Sequence, residues 1–73
     1  MQVTLTNTTQ IVTLNGVPAR IWEGTTSTGI RVHAFITGIA VHNDDNQEQF
    51  ERELLHVTPP TAEVPVYPAH MVI

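Results

Sequence analysis

An Asn-Gly pair between two apolar runs is the feature that most limits how this chain can fold. The run Ile11–Leu14 precedes Asn15-Gly16, and the run Val17–Trp22 follows it. Both turn residues tolerate the positive φ of a type I′ turn, so the pattern predicts a two-residue β-hairpin. So short a loop also fixes the register of the two strands, because the residues that flank it must pair with each other.

This register sorts the side chains of the hairpin onto two faces. It predicts that Val12 lies opposite Ala19 and that Gln10 lies opposite Ile21. One face is then expected to be apolar, with Val12, Leu14, Val17, Ala19 and Ile21. The other face is expected to carry Ile11, Thr13, Pro18, Arg20 and Trp22.

A third strand is predicted over residues 30–42, after a Thr-rich turn. Two registers compete, because a three-residue loop sets Trp22 opposite Ala34 and a four-residue loop sets Ile21 opposite Ala34. We favour the four-residue loop, since it continues the apolar face and a slip of one residue would reverse it. Gly38 is expected to mark a bulge or bend. Pro18 has no N–H, so the third strand should pair with the part of the second strand beyond it.

One helix is predicted after the third strand. Asp45 is a good N-cap, and Glu48 three residues later completes a capping box. The Thr58-Pro59-Pro60 segment ends the helix. The apolar stripe that would lay it on the sheet consists of Phe50, Leu54 and Val57.

These elements predict an α+β fold, a three-stranded antiparallel meander with one helix packed on one face. Residues 1–10 are interpreted as an N-terminal extension and 11–73 as a single small domain. The prolines of residues 61–73 favour an extended segment or an edge strand there. This apolar tail is expected to pack on its own domain or to reach a second subunit.

Composition and charge argue against several classes of function. The 73 residues include three arginines, no lysine and seven acids, for a net charge of −4, which disfavours nucleic-acid binding. No apolar run approaches the roughly 20 residues of a membrane helix, and no signal peptide is recognisable at the N-terminus. A cytoplasmic protein is therefore expected. The Asn7-Thr8-Thr9 sequon is interpreted as chance.

Two surfaces are candidates for protein binding. Arg20, Trp22, His33 and Phe35 are expected on the sheet face away from the helix, and their composition resembles an interface hot spot. A homodimer or another partner would cover this patch; alternatively, the C-terminal tail folds over it and the four are core residues.

The second candidate surface is the acidic helix region. Five acids surround Arg52 there, a local charge of −4, and they suit either a solvated helix face or docking on a basic partner. The acids are Asp44, Asp45, Glu48, Glu51 and Glu53, of which Glu48, Glu51 and Glu53 are candidate contact residues.

No catalytic, cofactor-binding or metal-binding residue is predicted. The four histidines, His33, His42, His56 and His70, show no ligand-spacing motif. The chain has no cysteine or lysine nucleophile and no glycine-rich phosphate loop, so we do not expect an enzyme.

Three stretches carry a resemblance to a known group. These are Leu14 to Gly24, Val32 to Thr37 and Phe50 to Leu54, and together they resemble short uncharacterised proteins of proteobacteria and their phages. The resemblance covers most of residues 11–73 and brings no activity or site residue with it. It implies a phage or mobile-element context, in which short acidic proteins inhibit a host protein in the manner of anti-defence or anti-CRISPR proteins.

The sequence therefore predicts a non-catalytic protein-binding module that forms a homodimer and binds a host or phage protein. One alternative is a self-associating structural or assembly accessory. Another is a small enzyme or ligand binder with a site shared between subunits.

Overall fold

A computed structural model describes residues 1–61 of the chain. Three strands, β1 (Val3–Leu14), β2 (Val17–Thr26) and β3 (Arg31–Ile36), form an antiparallel sheet in the order β1-β2-β3, and one helix follows, α1 (Gln47–Leu54). The predicted α+β meander with one helix is confirmed. The predicted C-terminal segment lies outside the described residues. Within the described part of the chain, no helix is long and apolar enough to cross a membrane.

The first turn forms as the sequence predicts. Asn15 and Gly16 have φ values of 50° and 80°, the positive values that a type I′ turn needs. Around this turn Leu14 pairs with Val17 and Val12 pairs with Ala19. The predicted register is confirmed for this half of the hairpin.

Further from the turn, β1 carries a bulge that the sequence analysis missed. The register shifts between Asn7 and Ile11, so that residues 8–10 face the single residue Ile21. The predicted pairing of Gln10 with Ile21 is therefore wrong. The bulge is held by Thr8, whose Oγ1 donates to the Ile21 carbonyl at 2.7 Å and accepts from the Gln10 N–H at 3.3 Å.

Beyond the bulge, β1 continues to Val3. Residues 3–7, interpreted from the sequence as part of an extension, are thus paired with β2, and residues 8–10 form the bulge. The boundary placed after residue 10 falls inside this strand.

The register between β2 and β3 differs from the prediction. Ile21 pairs with Phe35 and Trp22 pairs with Ala34, as the rejected three-residue loop requires. Local hydrogen bonds hold that loop, because the Ile30 carbonyl accepts from the Thr26 N–H at 2.9 Å and Thr26 Oγ1 accepts from the Ile30 N–H at 3.1 Å. Continuity of the apolar face was therefore the wrong criterion here.

The third strand ends at Ile36, six residues earlier than predicted, so Gly38 is not a bulge within it. The last pair joins Ile36 to Arg20, and two residues further on Gly38 would have to pair with Pro18. Pro18 has no N–H to offer there, which gives a physical reason for the early end. The prediction that β3 pairs beyond Pro18 is confirmed.

The helix begins one residue later than predicted. Its N-cap is Asn46 rather than Asp45, and Asn46 Oδ1 accepts from the Gln49 N–H at 3.0 Å. The helix ends at Leu54, which leaves Val57 outside the predicted stripe.

The helix lies on the sheet face that carries Trp22. Asn7 pairs with Trp22 across β1 and β2, so both side chains point to this helix-side face. Asn7 is 6% exposed, and its Nδ2 donates to the Leu54 carbonyl at 3.2 Å. The prediction that Trp22 lies on the face away from the helix was therefore wrong. The side-chain amide of Asn7, the first residue of the sequon, is engaged in the hydrogen bond to Leu54.

The face opposite the helix contains the most deeply buried apolar residues of the described chain. Ala19 and Ile21 are 1% and 0% exposed. Their burial follows the predicted apolar face of the first hairpin, although the helix covers the other side.

Candidate functional site

An open cleft of about 310 Å³ lies between the helix and the helix-side face of the sheet. The strands supply its floor, and the helix and the chain that precedes it supply its walls. Its lining residues are Leu5, Thr6, Asn7, Trp22, Ile39, Phe50, Glu53 and Leu54.

The lining is mostly apolar and remains open to solvent. Trp22 and Phe50 are half-buried, and Leu54 is 38% exposed. Large apolar side chains grouped in an accessible depression are typical of a site that receives an apolar group of a binding partner. The shape and the lining together make this cleft the leading candidate site in the described residues.

Glu53 is the only charged residue that lines the cleft within residues 1–61. The Asn7 amide nitrogen already donates to Leu54, which leaves the Glu53 carboxylate as the group best able to attract a charged ligand. A cation beside an apolar group is therefore the chemistry that this lining favours.

The chain after the helix is anchored to β1 beside the cleft. Thr58 forms a parallel bridge to the bulged Thr8 of β1. The Thr58 carbonyl accepts from the Thr9 N–H at 2.9 Å, and the Asn7 carbonyl accepts from Thr58 Oγ1 at 3.1 Å. Because Asn7 also binds the Leu54 carbonyl, one buried residue connects the sheet to both the helix and the segment that follows it.

The predicted contact patch of Arg20, Trp22, His33 and Phe35 is not formed, because the register of β3 divides it. Arg20 and Trp22 lie on the helix-side face, whereas His33 and Phe35 pair with Glu23 and Ile21 on the opposite face. The predicted pairs Arg20–Phe35 and Trp22–His33 are therefore wrong.

Each member of that patch has its own surroundings. The Arg20 guanidinium donates to the carbonyl of the bulged Thr8 at 2.8 Å, which gives it a structural role. Trp22 lines the cleft. His33 and Phe35 are half-buried and make interactions of their own.

The acidic helix contributes one residue to the cleft. Glu53 lines it, while Glu48 and Glu51 are exposed on the same helix and lie outside the lining. Trp22 and Glu53, assigned from the sequence to two separate surfaces, thus belong to a single site.

Leu5 and Asn7 are lining residues that the sequence analysis missed. Both lie in the stretch interpreted as an extension, where Val3 and Leu5 alternate with threonines. Alternation of this kind, with β-branched residues between the apolar ones, is a strand signal that could have found them.

Glu23 and His33 lie directly opposite each other on β2 and β3. The Glu23 carboxylate accepts from both the N–H and the Oγ1 of Thr61 at 3.2 Å, which ties the chain beyond the helix to the opposite face. Within residues 1–61, no group of three His, Asp or Glu side chains is placed to hold a metal ion.

No protein-family model, no curated protein and no solved structure matches the chain.

Proposed function

We propose that this chain is a non-catalytic protein-binding module and that its cleft receives an apolar side chain of a partner protein. The observation that carries the proposal is the joint lining of one open cleft by Trp22, Phe50 and Leu54. Aromatic and aliphatic residues around a depression supply the contacts that dominate protein interfaces.

The charge of the chain favours a basic partner over a neutral one. The net charge is −4, and Glu53 places one of the carboxylates on the cleft itself. A lysine or arginine next to the inserted apolar side chain would be attracted to this site and would speed association.

The size of the cleft supports the same proposal. Small-molecule and cofactor sites typically occupy roughly 300–1,000 Å³ and bury most of their ligand. An open cleft of about 310 Å³ is at the low end of that range and suits an anchoring side chain better than a cofactor.

Two neighbouring leucines provide a matched test. Leu54 lines the cleft and is 38% exposed, whereas Leu55 is 79% exposed and does not line it. A partner captured on the immobilised 73-residue chain and identified by mass spectrometry would be purified, and its affinity for each variant measured by calorimetry. We expect Leu54→Asp to weaken binding by about thirtyfold, since hot-spot residues contribute about 2 kcal/mol or more. We expect Leu55→Asp to change the affinity by less than about twofold.

The comparison of the two variants decides the proposal. Equal affinities for the Leu54→Asp and unmodified chains, with both folded by circular dichroism, would place binding outside the cleft. A larger loss for Leu55→Asp would move the site to the outer side of the helix.

The more specific proposal is that a phage or mobile element encodes this chain as an inhibitor of a host protein. Small size and acidic charge support it by analogy. Capture from a bacterial host lysate, followed by an activity assay of the captured protein with and without the chain, tests it. A captured protein whose activity is unchanged by saturating amounts of the chain would contradict inhibition.

Self-association is a second candidate, favoured by the thin core. Ala19 and Ile21 are the buried apolar residues of the described part, and a domain of this size often gains stability from a second copy. Light scattering over a dilution series tests the homodimer, and a stable, folded monomer at every concentration would contradict it.

A further inference from the structure

Strand β1 contributes three residues to the cleft. Leu5, Thr6 and Asn7 are consecutive residues of this strand, and all three line the cleft. Since β1 is the first strand in the order β1-β2-β3, one of its edges faces away from β2.

The hydrogen bonds of β1 show which backbone groups point outward. The Asn7 carbonyl accepts from the Thr58 N–H, so it points away from β2. The Gln2 carbonyl accepts from the Ser27 N–H, so it points towards β2. Because successive backbone groups alternate along a strand, the N–H and C=O groups of Val3 and Leu5 point outward with those of Asn7.

The packing of Gly24 agrees with this alternation. A Cβ atom added to Gly24 would collide with the carbonyl oxygen of Thr4, so that carbonyl points inward at β2. Among the described residues, no hydrogen bond reaches the outward groups of Val3 and Leu5. Thr58 occupies the edge only at the bulge around Thr8.

We infer that an extended segment of the partner adds to this edge of β1 as a fourth strand and inserts one apolar side chain into the cleft. The inference rests on the proposed function, because it names how the partner enters the same site. Unpaired strand edges are templates for such addition, in which backbone hydrogen bonds supply affinity and a pocket for alternate side chains supplies specificity.

The structure also limits the length and chemistry of that segment. From Val3 to the bridge at Thr58 the edge spans about four residues, or about 14 Å. The side chain that neighbours Leu5 on the helix-side face enters the cleft, so it is apolar. A lysine or arginine two residues away along the added strand shares the helix-side face with it, on the side of the sheet that carries the Glu53 carboxylate, which favours a basic residue there.

Amide hydrogen exchange of the whole 73-residue chain, followed by NMR, gives the first test. The N–H groups of Thr4 and Thr6 point inward and are expected to exchange at least about a hundredfold more slowly than those of Val3 and Leu5. A Leu5 amide as protected as that of Thr6 in the unbound protein would mean that the edge is already paired, and the inference would fall.

A synthetic peptide of alternating threonine and leucine with one lysine is the binding probe. One version is N-methylated on the alternate amides that face β1, and the other on the amides that face solvent. We expect the first version to bind at least about tenfold more weakly than the second, as measured by fluorescence anisotropy, because only the first loses hydrogen bonds to the edge. Equal binding of the two versions would contradict strand addition.

A proline variant tests the same contact from the protein side. Val3→Pro removes an outward N–H without removing a bond to β2, so the fold is expected to survive while peptide binding drops by about tenfold or more. Thr13→Pro is the matched control, because Thr13 pairs with Pro18 at the far end of β1, remote from the cleft.

If Leu54→Asp abolishes binding while Val3→Pro and N-methylation leave it unchanged, the cleft remains the site and strand addition is wrong. If none of the three changes has an effect, the proposed function and this inference both fall.

Discussion

The two turns of the sheet determine strand register in different ways. At the first turn, Asn15 and Gly16 both adopt positive φ, and the residues beside the turn pair as expected. At the second turn, a longer polar stretch is compatible with two loop lengths, and the three-residue loop forms. A turn whose residues permit one geometry sets the register by itself, whereas a permissive turn leaves the choice to local hydrogen bonds.

The register set by the second turn also determines which side chains share a face with the candidate site. A shift of one residue in β3 reverses every side chain of that strand relative to β2. His33 and Phe35 therefore lie on the face opposite to Trp22. Trp22 lines the cleft beneath the helix instead of forming the predicted patch with them.

The largest expected effect is at Gly24, where the two hairpins share one residue of β2. Gly24 pairs with Leu5 on one side and with Val32 on the other. Because a Cβ atom there would collide with the Thr4 backbone, we expect Gly24→Ala to lower the free energy of unfolding by about 3 kcal/mol. Urea denaturation followed by circular dichroism would measure the loss.

Gly38→Ala is the matched control for that change. A Cβ atom at Gly38 meets nothing within 4 Å, so we expect a change below about 0.5 kcal/mol. If the two alanine variants were equally stable, β1 and β2 would not approach each other at Gly24 as closely as the structure shows.

A smaller effect is expected at the bulge, the part of the first hairpin that its turn does not control. Thr8 is fully buried, and its hydroxyl donates to the Ile21 carbonyl. Thr8→Val keeps the shape and leaves that buried carbonyl without its donor, so we expect a loss of about 2 kcal/mol in thermal or urea unfolding. The same change at the exposed Thr13 should cost far less. A Thr8→Val chain as stable as Thr13→Val would show that the hydroxyl does not hold the bulge.

Some elements of the fold could be predicted from the sequence alone. The hairpin at residues 15–16 was predictable because its signal is local, and so was the presence of the helix, although the helix begins one residue later than predicted and ends at Leu54, before Val57. Asp45 and Asn46 are both good N-caps, and the hydrogen bond that the Gln49 N–H donates to Asn46 Oδ1 distinguishes them.

The site was less predictable because it depends on contacts distant in sequence. Nothing near Trp22 in the sequence indicates which face the helix covers. That choice follows from Asn7, whose amide and carbonyl bind the helix end and Thr58, about fifty residues away. The bulge that presents these groups depends on a threonine in a run of polar residues that carries no distinctive pattern.

The smallest effect compares the two turns directly. Gly16 and Gly29 have φ values of 80° and 90°, and an added Cβ atom meets nothing within 4 Å at either position. Backbone strain is then the cost that remains, and we expect Gly16→Ala and Gly29→Ala each to reduce stability by about 1 kcal/mol. Thermal unfolding of the two variants beside the unmodified chain would measure the costs. A cost at Gly16 with none at Gly29 would mean that the second loop reaches its register without a left-handed residue. The hydrogen bonds between Thr26 and Ile30 would then determine that register alone.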